Sequence, residues 1–302
     1  MDHTETPKAT YQQDTEFALL EAIIPFVREK TFLDIGAEKG SFSSHMFDHG
    51  FHGVLFEPFP GHRQPLESLV SGGAGRFYPY AIDQVDHAAQ FFIAVNGDGQ
   101  DLDYYHSLQS LEGDSRVRHG RSIDVDCKAL STLVDEGVID GHVGIIKTDT
   151  EGNDLNVIRG MGPLTAEVLM CEFFTTGLYA GWQDAQPERL IAAAAEKGFN
   201  RFVAVKRRAD SELVSISPTI FVSREWGNLI FMTDEIYCQA EKGIQQVMRA
   251  KEEALFAEIE VLRQACDERL ALVNELHEEA EKRLKLILEL DRQLHAGGKQ
   301  GK

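Results

Sequence analysis

The sequence is short of most features that would place it outside the cell, in a membrane or on nucleic acid. It has four cysteines among 302 residues (Cys127, Cys171, Cys238 and Cys266), and no two stand at a zinc-binding or redox spacing. Cys171, set in an apolar run, reads as a small core residue. No apolar stretch approaches the roughly 20 residues that a membrane span needs. The opening MDHTETPKAT carries no apolar segment of the secretory kind, so the expected location is the cytoplasm. Basic residues are the minority: 30 Lys and Arg face 49 Asp and Glu, for a net charge of −19. That balance repels phosphate backbones and anionic membrane surfaces. It is also uneven, because the residues from Ile236 onward contribute only −2 (13 acidic, 11 basic) and the first 235 hold −17. The acidity belongs to the part expected to do the chemistry. The G-x-G-x-x-G signature is missing after the first strand, which disfavours a nicotinamide-dependent dehydrogenase or epimerase.

What is present is an alternation of short apolar runs and helical stretches. After a polar segment, residues 1–14, expected to be disordered, Phe17–Val27 reads as a helix. Strands are expected at Thr31–Gly36, Gly53–Glu57, Arg76–Ile82, Gln90–Val95, Val143–Asp149, Glu167–Phe174, Phe202–Lys206 and Leu229–Phe231, with helices between most of them. Asn96–Arg121 reads as a long irregular loop. The pattern predicts a Rossmann-like α/β domain over 15–233 with a doubly wound, mostly parallel sheet.

Beyond Thr233 the character changes. Residues 234–296 contain no proline and one internal glycine before the last turn, Gly243. An apolar seam runs through Met248, Leu255, Ile259, Leu262, Cys266, Val273, Leu276, Ala280, Ile287, Leu290 and Leu294, interrupted by Glu252, Arg269 and Arg283. This 3-4 spacing predicts a coiled coil and a homo-oligomer, with β-branched residues at one seam position and leucines at the other favouring a dimer. The tail, 297–302, is expected to be disordered.

Four constellations carry the chemistry. In FLDIGAEKG a buried strand ends in Asp34, followed by Gly36 and Gly40, so that a cofactor can approach the backbone at the strand's carboxyl edge. Glu57, 23 residues after Asp34, closes the second strand, where it can accept hydrogen bonds from ribose hydroxyls. In IIKTDTEG an apolar strand runs into Lys147, Asp149 and Glu151, three charges that need mutual pairing or a ligand. Glu172 interrupts another apolar strand and needs a partner, for which Lys147 or a ligand is the candidate.

Taken together, these residues resemble the FkbM family of methyltransferases over about Thr31–Phe174. FLDIGAEKG is similar to the family's D-V-G-A-N-x-G loop, FEPFP to its E-P-x-P, IIKTDTEGNDLNVIRGM to its K-x-D-x-E-G-x-E-x-x-V-L-x-G, and VLMCEFF to its strand ending in Glu. Glu38 stands where the family has Asn, and Ala129-Leu-Ser131-Thr where it has Thr-Leu-Asp. The resemblance implies a seven-stranded sheet, S-adenosylmethionine as cofactor, and O-methylation of a sugar, glycan or related small molecule. It assigns Asp34, Gly36, Ala37, Glu38, Gly40, Ser41, Glu57, Pro58 and Ala81 to the cofactor. Asp149 is the first choice to take the acceptor's proton or to steer the cofactor's amino group, with Glu151 second and Lys147 in support. His106 and Glu172 are assigned to the substrate, and His106 is also an alternative base. Nothing demands a metal, since no His stands at ligand spacing from Asp149 and Glu151. A catalytically degenerate domain on an oligomerising stalk stays open as the non-enzyme reading.

Overall fold

The computed structural model describes residues 8–102, 104–110, 118–177, 183–209 and 211–297. The first 248 residues make one compact unit and the rest a second. The chain enters through helix α1 (Lys8–Ile23) and a 3-10 turn at Ile24–Phe26, where Pro25 ends the regular ladder. Residues 8–14, expected to be disordered, are therefore the first turns of a helix, and residues 1–7 lie outside the described part. The anchor of α1 is remote in sequence. Glu16, buried, pairs with Arg207 at 2.7 Å and accepts from Asn228 at 2.8 Å.

The main sheet is built from β1 (Thr31–Ile35), β2 (His52–Phe56), β3 (Gly75–Tyr78), β7 (His142–Thr148), β8 (Thr165–Phe174), β9 (Arg201–Arg208), β10 (Ser211–Ile216) and β11 (Trp226–Met232). Their order is β10-β9-β11-β8-β7-β1-β2-β3. β3, β2, β1, β7 and β8 are parallel, while β11, β9 and β10 pair antiparallel. The sheet has eight strands, not seven. The eighth, β10, is a half-polar edge strand (SELVSI) returning against β9.

Ala81–Ile82 leaves the third strand to form β4 of a separate three-stranded sheet with β5 (His87–Val95) and β6 (Arg118–Lys128), in the order β4-β6-β5. The stretch read as a loop to Arg121 therefore gives its last residues to a strand, and residues 103 and 111–117 are not described. Phe59, Ala81, Phe91, Ile93, Val125 and Cys127 form this sheet's own apolar cluster. The connecting helices are α2 (Ser41–Asp48), α3 (Arg63–Val70), α4 (Leu130–Asp135), α5 (Asp154–Arg159) and α6 (Pro187–Glu196). Both faces of the main sheet carry buried apolar side chains, as a doubly wound sheet requires.

The last helix, α7, runs from Asp234 to Gly297 without a break. Its first turns are core: Ile236, Ala240 and Ile244 are buried in the cluster that holds Leu19, Leu20 and Ile23 of α1. Gly243 permits that approach, since a Cβ there would meet Ala22 at 2.8 Å. The boundary expected after Thr233 thus moves to Met248. Residues 298–302 are outside the description. No helix among the described residues is long and apolar enough to cross a membrane.

Truncation separates the two parts of α7. A chain ending at Met248 should unfold at the same denaturant midpoint as the full chain. One ending at Thr233 loses two buried isoleucines, each worth about 1.5–3 kcal/mol, and should be destabilised by roughly 3–6 kcal/mol in urea melts.

Candidate active site

Parallel strands deliver their carboxyl ends to one edge of a sheet, and ligands of open α/β sheets bind there. β1 and β7 are neighbours, with Asp34 opposite Lys147. Asp34 is fully buried, accepts from the Ser43 hydroxyl at 2.6 Å, and lies 3.4 Å from the Lys147 ammonium. Lys147 also reaches Asp149 at 3.3 Å and donates to the Gly36 carbonyl at 2.9 Å. Burial opposes its charge, yet Asp149 and Asp34 outweigh that and hold it above the ordinary lysine range. Burial raises the Asp34 carboxyl, with Lys147 and Ser43 pulling it back.

Beyond this knot a cleft opens, with an empty volume of about 640 Å³ continuous with solvent. Gly36 forms part of its floor. It has φ +74°, and an added Cβ would sit 2.0 Å from the Asp149 carbonyl oxygen, so the backbone must stay bare. Glu57 accepts the backbone N–H of Glu38 at 2.9 Å and of Phe59 at 2.8 Å, one on each oxygen. Each oxygen keeps acceptor capacity for a further donor. Of the residues assigned to the cofactor, Gly36, Glu38, Glu57, Pro58 and Ala81 line the cleft. Asp34, Ala37, Gly40 and Ser41 are outside the lining: Asp34 holds Lys147 and Ser43, Gly40 caps α2 in a left-handed turn against Leu69, and Ala37 is buried.

The other wall comes from the loop after β7 and from the loop that follows β5. β7 ends at Thr148, so Asp149 and Glu151 lie beyond the strand and are placed by the loop rather than by strand alternation. Glu151, at φ +53°, turns to accept the Tyr105 N–H at 3.1 Å, while its backbone carbonyl takes the Ser107 hydroxyl at 2.7 Å. Its Oε2 is buried without a partner. Burial first, then the charge of Asp149, raises its carboxyl to about 8. Asp154, missed as a site residue, accepts from Thr150 at 2.8 Å and from the Glu172 N–H at 3.3 Å, and burial lifts it to about 6. Glu172 finds no lysine. Its neighbours are Asp149, Glu151 and Asp154, and burial drives its carboxyl well above the ordinary range. The expected pairing with Lys147 is thus replaced by a cluster of carboxyls, each raised first by its burial. Asp149, Glu151 and Glu172 bring oxygens within 4.8 Å of one another, an arrangement of a kind that can take a hard cation.

His106 belongs to the same wall, but it is not a base. Its Nδ1 accepts the Ala94 N–H at 3.0 Å, so the proton sits on Nε2, and burial lowers its pKa to about 4. It is a neutral donor packed on Phe59 with centroids 4.1 Å apart. His62, also missed, is buried beside Glu57 at 3.7 Å with neither ring nitrogen hydrogen-bonded. The available signal was its place five residues after Glu57. Three residues lining the cleft, Glu38, Tyr105 and Glu151, hold positive φ without being glycine. Backbone strain of this kind, about 1–3 kcal/mol each, gathers at binding sites.

A family model described as the methyltransferase FkbM domain matches residues 34–200. No curated protein matches the chain. Among solved structures, it is similar to precorrin-6Y C5,15-methyltransferase from Geobacter metallireducens, at 8% identity over 76% of this chain and 93% of that one, with a TM-score of 0.41. It is also similar to magnesium protoporphyrin IX methyltransferase from Synechocystis with bound S-adenosylmethionine, at 10% identity over 74% and 80%, with a TM-score of 0.40. A third is the ribosomal protein L11 methylase from Lactobacillus delbrueckii subsp. bulgaricus, at 12% identity over 72% and 78%, with a TM-score of 0.37. The family match spans more than half of the chain, which belongs to the FkbM methyltransferase family.

Lys147 should be the costliest single loss in the site. Lys147→Met leaves Asp34 buried without its cation and should destabilise the fold by roughly 3–5 kcal/mol in chemical denaturation. Adding Asp34→Asn should restore part of that.

Proposed function

We propose that this member of the FkbM methyltransferase family transfers a methyl group to a hydroxyl of a sugar, glycan or related small molecule. Its cofactor, S-adenosylmethionine, supplies an electrophilic methyl on a cationic sulfonium. The observation that carries the reading is that every residue lining the cleft lies within the matched segment, with Glu57 among them and the carboxyl cluster alongside. The residues present fit the cofactor. A bare backbone at Gly36, an acceptor-rich Glu57, and an acidic wall suit a ligand with ribose hydroxyls and a positive charge.

Methyl transfer to oxygen is mostly a matter of alignment, with a proton to be removed from the acceptor hydroxyl. Asp149 is engaged by Lys147, whereas Glu151 keeps one oxygen unpartnered, so Glu151 takes the proton and Asp149 with Lys147 holds the field around it. A carboxyl poised near 8 is ionised only in part at neutral pH, and a cationic ligand in the cleft lowers it toward the working range. His106, through Nε2–H, donates to an acceptor oxygen. The apolar ring of Phe91 and the aromatic faces of Tyr80, Tyr104 and Tyr105 give the cleft surfaces for a sugar or an adenine to lie on.

The stalk reading rests on a different observation. On α7, Leu255, Ile259, Leu262, Val273, Leu276, Ile287 and Leu290 are exposed, and one helix cannot bury its own stripe. A second copy in parallel covers it, with β-branched residues at one seam position and leucines at the other.

Separate measurements test the two readings. Calorimetry with S-adenosylmethionine should show binding that Glu57→Ala weakens by about 1.5–3 kcal/mol, while radiolabelled turnover on a hydroxyl panel falls strongly in Glu151→Gln and loses its rise with pH. Undiminished binding in the first variant removes Glu57 from the site, and full turnover in the second removes the base. No binding at all in the unaltered protein returns the degenerate-scaffold reading. For the stalk, mild copper-catalysed oxidation should link two chains through Cys266, a seam residue that meets its own copy only in a parallel, in-register pair. Cys238→Ser should keep the link and Cys266→Ser should abolish it, with light scattering giving the strand number.

A further inference from the structure

Away from the cleft, α1 and α2 bring together three side chains that none of the foregoing uses. His45 and His49 stand four residues apart on and just after α2, so both rings project from one face. Glu21 reaches them from α1. Its Oε1 lies 3.0 Å from His49 Nε2 and 3.4 Å from His45 Nε2. All three potential ligand atoms fall within 4.8 Å of one another.

The rings are already oriented. His49 Nδ1 lies 2.9 Å from the His45 carbonyl oxygen. A carbonyl only accepts, so Nδ1 carries a hydrogen and Nε2 is the nitrogen turned toward Glu21, where either a proton or a cation must lie between them. A metal-bound histidine is held in just this way, its second nitrogen donating to a backbone carbonyl. His45 is fixed differently, stacked on Phe17 with centroids 4.3 Å apart and 23° between planes. Its Nε2 is buried and makes no hydrogen bond. A proton on His49 would satisfy the shorter contact with Glu21 and leave His45 Nε2 as it is. A single cation satisfies all three atoms.

We propose that Glu21, His45 and His49 form a binding site for a divalent transition-metal ion of the zinc type. Zinc holds imidazole nitrogen and carboxylate oxygen at about 2.0–2.2 Å in a tetrahedron, which sets its ligands roughly 3.3–3.6 Å apart. The two separations from Glu21, 3.0 and 3.4 Å, are close to that figure, and the third ligand pair lies within 4.8 Å. Two imidazoles and one carboxylate suit zinc better than magnesium or calcium, which prefer oxygen throughout. Three protein ligands leave a fourth position for water. The ion would clasp α1 to α2, a further tie for a helix that Glu16 already anchors to Arg207 and Asn228. None of the three residues lines the cleft, so the site is independent of the methyl-transfer reading.

The test uses the full, untagged chain stripped with chelator and titrated with Zn2+ or Co2+ alone. The expected result is one tightly bound ion, a visible Co2+ absorption of tetrahedral type, and a raised thermal midpoint. Glu21→Gln, an exposed change that leaves the core intact, and His49→Gln should each weaken binding by more than the roughly 10–100-fold that loss of an outer-shell partner costs. Binding that survives both changes places the ion elsewhere, at Asp83, His87 and Cys127 or at the carboxyl cluster, and overturns the proposal. So does a chain that binds no ion yet loses stability in His49→Gln on acidification alone, which is the behaviour of a plain histidine–glutamate ion pair.

Discussion

The Lys147 ammonium is the constraint on which the rest of the molecule turns. It sits where β1 and β7 end side by side, and it is shared by Asp34, Asp149 and the Gly36 carbonyl. A buried carboxylate without that cation would be untenable. With it, the first strand can end in an acid, the chain can turn through a glycine whose missing Cβ lets the Asp149 carbonyl in, and two neighbouring loops are locked to one another. The cleft is what this lock leaves open. Its acids divide accordingly: Asp34 and Asp149 are paired with Lys147, and those one layer further on, Glu151, Asp154 and Glu172, have their carboxyls raised by burial and then by the charge of Asp149.

Much of this was legible in the chain because parallel strands buried on both faces read as short apolar runs, and an acid or glycine at the end of such a run stands out. Glu57 and the Lys147–Asp149–Glu151 run were found on that ground. What could not be read depends on contacts made at long range. The opening residues of α1 are mostly polar in sequence, and Glu16, buried further along it, finds its partner Arg207 almost two hundred residues away. β10 is half polar because it is an edge. Ile236, Ala240 and Ile244 sit on the same unbroken helix as the stalk, with no proline to mark a boundary, so burial shows that they belong to the core.

The roles of individual side chains were less visible than their positions. His106 was placed in the cleft wall by its loop, but its tautomer is set by the Ala94 N–H and its lowered pKa by burial, which no spacing reveals. Glu172 asked for a cation and met three acids. In both cases the tautomer or proton count follows from what surrounds the group in space, and a lone sequence contains that only implicitly. The positive φ values at Glu38, Tyr105 and Glu151 are of the same kind, since no residue type there announces them.

The small sheet has its own apolar cluster, separate from the two that close the main sheet. The wall made by Phe91 and Leu108 therefore rests on packing distinct from that of the main sheet, though Phe59 and Ala81 join it to the Glu57 side. Changes in Phe91, Leu108 or the residues around Tyr105 alter what the opening admits without passing through the layers that keep the larger sheet folded. The opening can therefore be reshaped from the side of the small sheet while the Lys147 ion pairs that tie β1 to β7 stay as they are.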